Sequence, residues 1–139
     1  MAKPKPSRSK PSPVRDAVDT LFAPRWILRA EGLAALVASV AAYSLTGRGW
    51  SLFLMAFLIP DLGLLGYFKD RRVGAWAYNI THNTILPLAW GLCLWRQAGP
   101  AHPDLWMPAM WLAHVGWDRM IGYGLKYHPD FKTTHLQKI

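Results

Sequence analysis

Asp61, His82, His114 and Asp118 are two carboxylates and two imidazoles set in runs otherwise built of Leu, Ala, Trp, Ile and Gly. An ionisable side chain in hydrocarbon is costly, so it faces a bundle interior and marks a site. Together the four make a ligand set for a divalent metal such as zinc, iron or manganese. Without a metal the same groups can do acid–base work, with His114 oriented by Asp118 as the base and Asp61 as the acid. A third reading is structural, in which Asp–His and Tyr–His contacts hold the helices in register. The chain contains no HExxH, no Glu-x-x-His and no cysteine pair, so no single metal motif decides among these.

Spacing adds detail. His114 and Asp118 stand four residues apart and share one helix face, as do Tyr78 and His82, with Asn79 beside them. Pro60, just before Asp61, removes a helix hydrogen bond and frees the carbonyl of Ala56. Arg119, Tyr123, Lys126 and Tyr127 follow at the level of lipid headgroups. Tyr78, Asn79, Arg119, Tyr123 and Lys126 are therefore the expected substrate-binding residues, with Arg119 or Lys126 suited to an anionic headgroup.

The elements that must position these groups are four apolar stretches, residues 26–46, 50–68, 73–95 and 105–122. Each is close to the ~20 residues that cross a bilayer core. They are apolar all round, which suits lipid contact rather than a water-facing surface. The links are short, so neighbours are antiparallel. The expectation is an all-α membrane protein, an up-down bundle of four transmembrane helices. Lys and Arg crowd the N-terminal segment, the loop Lys69-Asp70-Arg71-Arg72 and the C-terminal segment, which places both termini in the cytoplasm.

Helical rise puts Asp61 about 12 Å from the cytoplasmic end, His82 about 15 Å and His114 about 12 Å, with Asp118 one turn shallower. Three antiparallel helices thus carry ionisable groups at nearly one level. Trp26, Trp50, Trp95 and Trp106 lie near span ends as interfacial anchors.

Half of the net charge of +8 over 139 residues comes from residues 1–25, a basic tail read as disordered. Attraction to anionic lipid headgroups explains it more simply than nucleic acid, which is not an expected partner. Val14, Val18, Leu21 and Phe22 suggest a short interfacial helix there, ended by Pro24. Residues 26–139 form the membrane domain. The lone Cys93 excludes an internal disulfide, and the basic, Pro/Ser-rich start, with no apolar run after it, is not expected to act as a signal peptide. An interfacial salt bridge is expected between Arg29 and Glu31. Gly63, Gly66, Gly74, Gly91, Gly116 and Gly122 suit close helix packing, and His102 is expected in solvent. The tail carrying His128 and His135 lies on the cytoplasmic side, where His135 could fold back as an extra ligand. No inverted repeat argues for a transporter, and a homo-oligomer is compatible with the sequence.

Several ordered strings carry a likeness. They are Arg-Ala-Glu-Gly-Leu (29–33), Pro-Asp-Leu-Gly-Leu-Leu-Gly-Tyr (60–67) and Val-Gly-Ala-Trp-Ala-Tyr-Asn-Ile-Thr-His (73–82). Trp-Leu-Ala-His-Val-Gly-Trp-Asp-Arg-Met-Ile-Gly-Tyr-Gly-Leu-Lys-Tyr (111–127) and Phe-Lys-Thr-Thr-His-Leu (131–136) complete the set. Over roughly residues 26–139 the chain resembles the bacterial membrane family called domain of unknown function 4260. The resemblance implies a multi-pass protein of the bacterial inner membrane and supplies no activity. The family pattern includes Glu31, Asp61, Tyr67, Asn79, His82, His114, Asp118, Arg119, Tyr123, Lys126 and His135. One departure is Asn83-Thr84 after His82. As an enzyme, such a protein would act on a lipid-like substrate; as a non-enzymatic module, it would bind a small ligand or use the cluster only to hold its helices.

Overall fold

Prolines set where the helices start and break. The computed structural model describes residues 22–100, 102–127, 134 and 136. The basic tail and its expected interfacial helix fall mostly outside them, as do His128 and His135. Helix α1, Pro24–Leu45, has proline in its first turn, where the missing N–H costs nothing. Pro24 therefore opens a helix, where the sequence reading had it end one.

The second stretch is α-helical only over α2, Trp50–Ala56. A 3-10 segment follows over Ile59–Phe68, beginning beside Pro60. Proline cannot donate to the α ladder, and runs of 3-10 helix this long are uncommon outside functional hinges. The tighter winding rises about 2.0 Å per residue, so Asp61 lies about 16 Å from Lys69 rather than about 12 Å. That is level with His82.

The third stretch is also broken, where a continuous helix over 73–95 was expected. Helix α3, Arg71–Thr81, starts on Asp70, whose carboxylate accepts from the N–H groups of Arg72 and Val73, both at 2.8 Å. Such a cap contributes about 1 kcal/mol. Helix α4, Ile85–Ala98, begins after a gap at 82–84. Pro87 explains the gap, because its ring clashes with the carbonyl four residues earlier, at Asn83, and cannot bond to it. The Asn83 side chain repairs the break by accepting from Leu86 N–H at 2.9 Å. Helix α5, Trp106–Ile121, ends on Gly122 at φ +100°, with Tyr123 N–H bonded to the Asp118 carbonyl at 2.7 Å. This left-handed cap favours glycine.

Two helix pairings dominate, α1 on α5 and α3 on the 3-10 segment. Gly32 and Gly116 let the α1 and α5 backbones touch: a Cβ on Gly116 would stand 2.7 Å from Leu36 N and 2.8 Å from Gly32 O. Tyr43, Phe53, Ala56, Ala109, Met110 and Ala113 form the buried core where α1, α2 and α5 meet.

Outside that core the fold is apolar on its surface. Leu54, Met55, Phe68 and Ile85 are each more than 70% exposed. Exposed apolar side chains in such numbers fit a lipid-facing surface. Pro24–Leu45 and Trp50–Phe68 are long and apolar enough to cross a membrane. Among the described residues the regular structure is helical apart from one antiparallel bridge between Lys126 and Thr134.

Candidate metal centre

Each cluster residue stands at a helix break or on the central helix. Asp61 lies in the first turn of the 3-10 segment, and His82 caps the end of α3. Glycines bring the two together. A Cβ on Gly63 would collide with Thr81 Oγ1 and the Ala77 carbonyl, and one on Gly74 would collide with the Tyr67 ring. The 3-10 segment therefore lies directly on α3. Helix α5 supplies His114 and Asp118 from the other side.

The ligand atoms of Asp61, His82 and His114 all lie within 4.8 Å of one another. His82 Nε2 is 3.2 Å from His114 Nε2 and 3.4 Å from Asp61 Oδ1, and His114 Nε2 is 3.6 Å from Asp61 Oδ1. Asp118 Oδ2 stands 3.5 Å from His82 Nε2 and 4.0 Å from His114 Nε2. The i, i+4 pair therefore shares a face without a hydrogen bond between its members. Asp118 instead accepts from the Tyr78 hydroxyl at 3.1 Å.

The hydrogen-bond network assigns the His82 tautomer. Its Nδ1 is 3.0 Å from the Tyr78 carbonyl, which can only accept, so Nδ1 carries the proton. Thr81 Oγ1, 2.9 Å away, also contacts that nitrogen. Nε2 is then a bare lone pair aimed at the cluster. Ring stacking on Tyr78, with centroids 3.7 Å apart and planes 13° apart, fixes the orientation. His114 packs against Phe57 at 5.0 Å, and its buried Nδ1 has no hydrogen-bond partner among the described residues.

Both imidazoles are about 3% exposed, Asp118 is 17% exposed and Asp61 38%. The site is walled by histidine and opens along its carboxylates. At that opening Asn79 grips the Lys126 backbone, donating to its carbonyl at 2.9 Å and accepting from its N–H at 2.7 Å. The Lys126 ammonium lies 4.2 Å from the Tyr78 ring centre and 5.2 Å from that of Tyr67. Burial lowers the Lys126 pKa, and attraction to Asp118 and Asp61 works against that shift.

The other expected site residues lie elsewhere. Arg119 rests its Cβ beside Gly32 of α1, one step round α5 from the cluster face. Tyr123 is half exposed. Glu31 is exposed and makes no ion pair with Arg29, because residues two apart on a helix point away from each other. The Arg29 guanidinium lies over Trp26 at 4.9 Å instead. His102 is partly buried and accepts from Asp104 N–H.

Two partners escaped the sequence reading. Thr81 touches the His82 ring, and Trp111 donates its indole N–H to the Thr81 carbonyl, a group the break before α4 leaves outside the helical ladder. Pro87 was the available signal. An apolar cavity of about 330 Å³ between α1, α4 and α5 includes no cluster residue.

The model of the family described as domain of unknown function (DUF4260) matches residues 25–139. The chain belongs to the DUF4260 family. No curated protein and no solved structure matches it. What this DUF4260 chain offers a metal thus stands on its own residues: an Asp/His triad within ligand distance, with a second carboxylate beside it.

Proposed function

We propose that this DUF4260 protein is a four-span protein of the bacterial inner membrane with a divalent metal centre, catalysing metal-assisted hydrolysis of a lipid-like substrate. The observation that carries the proposal is the triangle of Asp61, His82 and His114. Ligands held at about 2.0–2.1 Å in a tetrahedron are separated by about 3.3–3.4 Å. The three edges of this triangle are 3.2, 3.4 and 3.6 Å. Three protein ligands leave a coordination position free, as catalytic sites require. Two imidazoles and a carboxylate suit zinc, iron or manganese.

A divalent cation there would supply Lewis-acid polarisation of a substrate oxygen. Asp118, oriented by the Tyr78 hydroxyl, is the base that takes a proton from the attacking water. Lys126 holds positive charge at the opening. The exposed apolar faces of α3 and the 3-10 segment offer a lipid tail a path to the site.

The test is turnover of a panel of dioctanoyl lipids by the detergent-purified protein before and after chelation. Hydrolysis should disappear with the metal and return when it is restored; full turnover by stripped protein sinks the reading. Topology has its own check. With Cys93→Ser as background, single cysteines replacing Arg48 or Arg96 should react with an impermeant maleimide from outside intact cells. One replacing Asp70 should react only after lysis, and the reverse pattern overturns the orientation.

A structural role has one observation in its favour, since the cluster ties the 3-10 segment, the end of α3 and α5 together. It requires that Asp61→Asn and His114→Gln, which keep hydrogen bonding, leave both metal content and turnover unchanged.

A further inference from the structure

We infer that the cavity between α1, α4 and α5 binds an uncharged, lipid-soluble carbonyl compound, whose oxygen accepts a hydrogen bond from the Ser39 hydroxyl. This site is separate from the metal centre and shares with it only the membrane reading, which the maleimide experiment tests by itself.

A buried hydroxyl is the first argument. Ser39 lines the cavity and is 3% exposed, and its Oγ has no hydrogen-bond partner among the described residues. A helical serine can spend its hydroxyl on the carbonyl four residues back, and this one does not. Leaving such a group unmatched in an apolar setting is costly. Ser39 stands about 9 Å along α1 from its end at Leu45, inside a helix long and apolar enough to cross a membrane. Hydrocarbon at that depth offers no water, so a ligand oxygen is the partner within reach.

Room is the second argument. The cavity holds about 330 Å³, because Ala38, Ala42, Gly91 and Ala109 present little side chain where the three helices meet. At about 30 Å³ for each water-sized group, that space takes roughly eleven non-hydrogen atoms. Small-molecule pockets begin at this size. Leu88, Leu92 and Trp95 of α4 border it and are each more than half exposed, so a ligand can enter from the surrounding lipid.

The chemistry of the wall is the third argument. None of its side chains ionises, so a charged ligand would be buried without a counter-charge. Apart from the Trp95 indole, Ser39 is the one polar side chain among the lining residues. A carbonyl answers its hydroxyl donor and brings no donor of its own, whereas an alcohol adds a second proton that needs an acceptor. A plain hydrocarbon fills the space and leaves Ser39 unmatched.

The test uses the full-length chain in detergent micelles and a diazirine-bearing analogue of methyl octyl ketone, with labelled residues mapped by mass spectrometry. Label should collect on Leu88, Leu92 and Leu112, and Gly91→Leu, which fills the space, should remove it. Label spread evenly over the exposed leucines of all the helices overturns the site, as does label that persists in Gly91→Leu. Competition reads the chemistry. Methyl octyl ketone should displace the label better than decane, and Ser39→Ala should cut that advantage by about fivefold, the scale of one net hydrogen bond. Running both competitors on both proteins cancels their different partition into the micelle. Ser39→Thr keeps the hydroxyl and should keep the advantage. An advantage that Ser39→Ala leaves unchanged overturns the hydrogen bond, and decanoate competing as well as the ketone overturns the uncharged class. If Gly91→Leu does not fold, the map of label on wild type and the Ser39 comparison decide.

Discussion

Replacing His82 and His114 together with alanine should take the purified protein from about one equivalent of divalent metal to less than about a tenth. Mass spectrometry on detergent-purified samples reads this directly. The expected loss is large because two of the three triangle corners vanish, leaving Asp61 with no nitrogen partner. The protein should remain inserted, because the apolar surfaces that hold it in a bilayer are elsewhere. Metal retained at one equivalent in the double variant would sink the centre proposed here. Tyr78→Phe is a graded companion. It keeps the ring stacked on His82 and removes only the hydroxyl that orients Asp118. Loss of such an outer partner costs about 10- to 100-fold in metal affinity or activity. The affinity of Tyr78→Phe should therefore fall between wild type and the double variant. An affinity equal to wild type would remove Asp118 orientation from the account.

Gly116→Val should destabilise the fold by at least about 3 kcal/mol, the upper end of ordinary overpacking costs. The reason is what the new side chain meets. Its Cβ would stand 2.7 Å from Leu36 N and 2.8 Å from Gly32 O, both backbone atoms of α1 that no rotamer change can move. Helices in lipid gain little from hydrophobic burial and depend on close packing, so separating α1 from α5 removes most of what joins them. Because α5 carries His114 and Asp118, metal content should fall with stability. Gly91→Ala is the control, since its Cβ would meet Pro108 at an ordinary 3.5 Å. It should be neutral or slightly stabilising through better helix propensity. Unfolding in mixed detergent micelles measures both; Gly116→Val as stable as Gly91→Ala would show that the α1–α5 contact is not decisive.

Much of this protein was legible before any coordinates. Apolar runs announced helices, two of them long and apolar enough to cross a membrane, and ionisable residues inside those runs announced an Asp/His cluster. The strings around Asp61, His82 and His114 pointed to the family whose model covers residues 25–139. These features are local, and composition along the chain is enough to read them.

Tertiary structure decided the rest, because helical spacing says which residues share a face and not which way that face turns. Arg119 and Asp118 are neighbours in sequence, yet one turns toward Gly32 of α1 and the other toward Tyr78. The i, i+4 spacing of His114 and Asp118 suggested a hydrogen-bonded pair, while the fold gives the carboxylate to a tyrosine on another helix. Pro60 was read as a kink, but how far the 3-10 winding runs depends on Gly63 and Gly66 lying against α3. Pro87 went unread, and its clash with the Asn83 carbonyl accounts for the gap between α3 and α4, beside which Trp111 donates to the Thr81 carbonyl. Lys126 lies beyond the last span, so no periodicity could bring it over Tyr78; the grip of Asn79 on its backbone and the bridge to Thr134 belong to the tertiary structure.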